Sequence, residues 1–97
     1  MPILLRQCKA KAGYEALPID KVTGKWDQER RLDFKILSQQ LRGKGYDVLD
    51  AGPLLVVKRA DIIETTIYRT GRLMIKTDQE AKAKPTAEVL YRDMGLE

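Results

Sequence analysis

Apolar and polar residues alternate along several short stretches of this chain and recur at helical spacing in two longer ones. Residues 3–12 read as a first strand. Its even positions, Leu4, Arg6, Cys8 and Ala10, are expected to face the core, because Cys8 and Ala10 suit helix contact better than Lys9 and Lys11. Residues 13–26 read as an apolar connector. Pro18, Gly24 and residues 20–24 carry turn chemistry, yet Leu17, Ile19, Val22 and Trp26 are apolar enough to pack on something. A first helix follows. Asp33 is placed to cap it, and Leu32 and Leu37 stand at the positions of a hydrophobic staple. Phe34, Leu37 and Leu41 form one helical stripe, and Gly43 is expected to end the helix in the left-handed region.

Four short strands come next. Residues 46–50 form one, closed by Ala51, Gly52 and Pro53. Residues 54–58 are a continuous apolar run, as expected of a strand covered on both faces. Residues 62–69 are β-branched and aromatic. Thr70 and Gly71 signal a tight turn, and residues 72–77 alternate again, so 54–77 reads as a three-stranded antiparallel meander. A last helix is capped by Thr77 or Asp78 and stopped by Gly95, with Ala83, Ala87, Leu90 and Met94 as its stripe. Pro85 requires a kink there or a fresh start with Pro85 in the first turn.

The order strand, helix, four strands, helix predicts an α+β fold: a curved antiparallel sheet with two helices on one face. At 97 residues the chain is expected to be a single domain over 1–97. Apolar residues make up 43% and charged residues 33%, a globular balance that excludes the composition of disorder. No apolar run is long enough to span a membrane, and the start lacks the pattern of a signal peptide. A lone Cys8 fits a reducing, cytoplasmic setting.

The chemistry available is narrow. There is no His and no Asn, and Ser38 is the only serine, so the usual nucleophile–base relays and zinc sets lack their parts. Asp47, Asp50 and Asp61 are spaced as turn formers rather than as a metal loop. No enzyme, metal or cofactor is expected. The net charge of +4 permits nucleic acid as a partner, but the basic residues are spread along the chain without a block.

Three stretches carry a family resemblance: Leu32-Asp-Phe-Lys-Ile-Leu-Ser-Gln-Gln-Leu-Arg42, Thr65-Thr-Ile-Tyr-Arg-Thr-Gly-Arg-Leu-Met-Ile-Lys76 and Ala87-Glu-Val-Leu-Tyr-Arg-Asp-Met-Gly95. In this order they resemble the capped first helix, the hairpin and the second helix of one TATA-box-binding-protein repeat. The resemblance implies a binding platform rather than one reaction, and two chains would have to pair to complete a saddle. It places Tyr68 where that family wedges an aromatic between base steps. Thr66, Met74 and Lys76 would share its concave sheet face, with Leu55 and Val57 beside them. Lys9, Arg72 and Lys76 would face phosphate. Because the chain has no Asn and offers no second wedge, strict TATA recognition is not expected. The sheet face is expected to serve a homodimer or protein partner, with DNA or RNA as the alternative.

Overall fold

The computed structural model describes residues 3–8, 13–19, 22–26 and 31–96, the side chain of Cys8 excepted. The elements run β1 (Ile3–Cys8), β2 (Gly13–Pro18), α1 (Phe34–Gly43), β3 (Asp47–Asp50), β4 (Leu54–Arg59), β5 (Ile62–Tyr68), β6 (Leu73–Ile75) and α2 (Glu80–Asp93). All strand pairs are antiparallel, in one open six-stranded sheet of order β1-β2-β6-β5-β4-β3. The expected α+β class, the meander β4-β5-β6 and the two helices on one face are all present.

The connector is where the chain departs from the expected order. Gly13–Pro18 is a strand inserted between β1 and β6, so the chain opens with a hairpin. Gly13 admits the neighbouring strand closely: a Cβ there would stand 2.9 Å from the Ile75 carbonyl oxygen. Pro18 lies past the last β2–β6 pair, Ala16 with Leu73, where a missing N–H is tolerated. The rest of the connector bridges Ile19 to Trp26, and the Trp26 indole N–H reaches the Thr70 carbonyl at 3.4 Å.

The first strand also faces the other way from the expectation. Leu5 pairs with buried Ala16, and Ile3 and Leu5 pack on the core, whereas Leu4 is 44% exposed. Burial under α2 rewards Ile3 and Leu5 more than the alternative face, which carries Arg6. Both helices press on the same side. Phe34, Leu37 and Leu41 of α1, with Ala83, Ala87, Leu90, Tyr91 and Met94 of α2, form one cluster with Ala16, Leu55, Val57, Ile67, Leu73 and Ile75.

Helix ends follow local chemistry. The Asp33 carboxylate accepts hydrogen bonds from the Lys35 and Ile36 N–H groups, at 3.0 and 3.3 Å. The α1 terminus differs from the expected Gly43 stop. The left-handed residue is Gly45, at φ 88°, with Tyr46 N–H donating to Leu41 O and Gly45 N–H to Arg42 O. That is a Schellman closure, and its second apolar member, Tyr46, is buried within the cluster. Gly95 closes α2 the same way, through Leu96 N–H to Tyr91 O and Gly95 N–H to Arg92 O. α2 runs through Pro85 without a restart. Thr77 Oγ1 accepts from Gln79 N–H, but the helix starts at Glu80.

Candidate binding face

With both helices on one side, period two sends every second strand residue to the other. The pairings trace one line across all six strands: Leu49, Val56, Thr66, Met74, Glu15 and Arg6. The β5–β6 turn fixes the centre of this line. Tyr68 N–H donates to Arg72 O and Gly71 N–H to Tyr68 O, with Gly71 at φ 89°. That is a type I turn with a glycine bulge, and it locks Thr66 opposite Met74.

Around Tyr68 and Met74 lies a depression of about 320 Å³, lined also by Gly13, Glu64, Thr66, Ile75 and Lys76. None of residues 19–26 described in the structure lines it. A second hollow of about 250 Å³ continues from Glu64 to Val56, Leu49, Lys58 and Asp47. Val56, Thr66, Tyr68 and Met74 are half-buried, and Leu49 is 64% exposed. Leu17 also points to this side but is itself buried, outside the core cluster.

The charges here are arranged in pairs. Arg6 Nη2 donates to Glu15 Oε2 at 2.7 Å, and Arg72 Nε stands 3.1 Å from Glu15 Oε1. The second contact is an ion pair whose N–H is not aimed along it. The Arg72 guanidinium also lies over the Tyr68 ring, 4.3 Å from its centre. Lys76 Nζ is 3.6 Å from Glu64 Oε2.

Of the expected site residues, Thr66, Tyr68, Arg72, Met74 and Lys76 come together on this face. Leu55 and Val57 do not: both are fully buried under the helices, opposite Ile67 and Thr65. Their neighbours Leu54 and Val56 take the outer positions, so 54–58 is not covered on both faces as its apolar run suggested. Lys9 lies outside the described residues. Sequence reasoning missed Glu15, hidden in the presumed connector, and with it the clamp on Arg6 and Arg72. It also missed Glu64, which the alternation of β5 would have placed beside Thr66.

A second polar cluster sits at the far end of the helices. The Tyr46 hydroxyl donates to Asp93 Oδ2 at 2.7 Å, and Arg59 stacks over the Tyr46 ring at 4.1 Å. Arg59 also holds Asp61 through both carboxylate oxygens and donates to the Lys44 carbonyl at 2.9 Å. Burial, and then the bond to Asp93, push the Tyr46 hydroxyl pKa well above its ordinary value. The Arg59 bond holds the Asp61 carboxyl below the usual range. The cluster joins the ends of α1 and α2 to the β4–β5 turn, and every group named in it has a partner.

Among the described residues no three metal-ligating side chains stand together, and no helix is long and apolar enough to cross a membrane. No family model, no curated protein and no solved structure matches the chain.

Proposed function

We propose that this chain is a small binding and assembly module that works through the open face of its sheet, and that it is not an enzyme. One observation carries this reading. Both helices cover one side of the sheet, while the other presents Val56, Tyr68, Met74 and exposed Leu49 around two hollows that share Glu64. A partly apolar surface of this extent, rimmed by charge, is what a protein interface needs. The resemblance to a TATA-box-binding-protein repeat supports a platform of this kind. From α1 onward the elements run helix, four strands, helix, as expected, while the chain opens with a hairpin in place of the single expected strand. The single cysteine suits a cytoplasmic setting.

Nucleic acid is the weaker occupant. Phosphate binding needs cations free to release counterions. Here the guanidinium groups of Arg6 on the edge strand β1 and of Arg72 beside β6 both address Glu15, and Lys76 stands by Glu64.

Sedimentation of the wild type and of Tyr68→Asp tests the reading, alone and with single- and double-stranded nucleic acid at low and physiological salt. Association that tolerates salt and is lost in Tyr68→Asp is expected. Nucleic-acid binding that collapses with salt would replace this reading with the other, and association untouched by Tyr68→Asp would move the interface off this face.

A further inference from the structure

We infer that the occupant of the open face is a second copy of this chain, stacked face to face about a two-fold axis that runs parallel to the strands between β5 and β6. The inference rests on the open face being the interaction surface, and it adds the partner and the geometry.

The charge layout selects this arrangement. Among the described outward residues of β1, β2 and β6 and the flanks of β6, the cations Arg6, Arg72 and Lys76 outnumber the single carboxylate Glu15. On β3, β4 and β5 the carboxylates Asp47 and Glu64 outnumber the single ammonium of Lys58. A two-fold interface uses the same patch twice, so it must be complementary to itself. An axis along the strands sets Lys76 of one copy against Glu64 of the other, with Arg6 over Leu49 and Glu15 over Val56. An axis across the strands would lay basic on basic.

The registers then name the opposing groups. Lys76 and Glu64 flank the axis, joined in the chain by Lys76 N–H to Glu64 O at 3.1 Å, so Lys76 of one copy meets Glu64 of the second. Thr66 meets Met74, and Arg72 meets Tyr68, whose ring already carries a guanidinium within its own chain. The apolar centre is ringed by these charges, the anatomy of a stable interface. Sheets packed this way lie about 10 Å apart and turn by about 30°, which shifts groups near the axis least.

Strands of three to seven residues at about 4.8 Å spacing give roughly 500 Å² in projection, and contoured side chains raise this toward the about 800 Å² per partner of standard interfaces.

The test is a charge exchange followed by sedimentation equilibrium. The wild type is expected to dimerise at micromolar concentration. Lys76→Glu and Glu64→Lys should each weaken self-association roughly tenfold, because each sets two like-charged contacts across the axis. Mixing the two variants should restore a dimer of one copy of each. The mixture cannot repair the repulsion that each variant carries within its own chain, so recovery reports a contact between copies. A wild type that stays monomeric overturns the inference and removes the association expected of the face. A dimer that persists in a folded Met74→Glu variant overturns both. A dimer lost in Met74→Glu but without rescue on mixing keeps the face and overturns this axis.

Discussion

Two tyrosines show how single polar atoms tie this small fold together. The Tyr91 side chain is fully buried, and its hydroxyl lies 2.7 Å from the Gly71 carbonyl and 3.1 Å from that of Ala16. One phenol thus joins α2 to the hairpin turn that orders the open face. Tyr46 does comparable work at the other end through Asp93, and there the fold favours the neutral phenol. A group whose pKa is raised on folding gives stability that is complete below its unfolded value, near 10 for tyrosine. That stability drains away as pH rises through this value toward the folded one. Thermal midpoints measured between neutral and strongly alkaline pH should therefore fall more steeply for the wild type than for Tyr46→Phe. The variant should start lower, by about 1 kcal/mol for the lost bond. Parallel pH curves would remove Tyr46 from the alkaline response.

At the scale of elements, the features set by local chemistry were legible and those set by neighbours were not. The Asp33 cap, the two helical stripes and the Thr70-Gly71 turn each depend on a few adjacent residues, and each stands where the sequence put it. Strand β2 depends on what lies beside it. Between Gly13 and Pro18 it offers only Tyr14, Glu15, Ala16 and Leu17, of which Glu15 and Ala16 are poor strand formers. Its existence comes from pairing with β1 and β6, and Gly13 is the residue that permits the approach of β6. Gly13→Ala is expected to push against the Ile75 carbonyl and cost about 1–3 kcal/mol, read as a lower denaturation midpoint. An unchanged midpoint would mean that β2 and β6 separate easily, and the clamp of Glu15 on Arg72 would loosen with them.

For the whole molecule, the decisive question is which side of the sheet each residue serves. Thr66, Tyr68 and Met74 could be assigned from sequence because a short turn fixes their register and their neighbours alternate. Residues 54–57 are apolar without interruption, so nothing in the run itself says which members face the helices. The choice is made by β5, whose buried Thr65 and Ile67 draw Val57 and Leu55 to the helix side and leave Val56 outside. Adjacent residues of one strand should therefore fail in different experiments. Leu55→Ala opens a hole among buried side chains and should cost about 2–5 kcal/mol of stability. Val56→Asp places a charge at a half-buried position facing solvent in the single chain, so unfolding of dilute protein should change by less than about 1 kcal/mol. In an assembled pair that same carboxylate would face Glu15 of the second copy, and self-association should be abolished. The pair of measurements, denaturation of dilute protein and sedimentation of concentrated protein, should thus separate cleanly. If Val56→Asp unfolded the dilute chain as badly as Leu55→Ala, that side of the sheet would already be covered within the monomer, and no second copy could dock there.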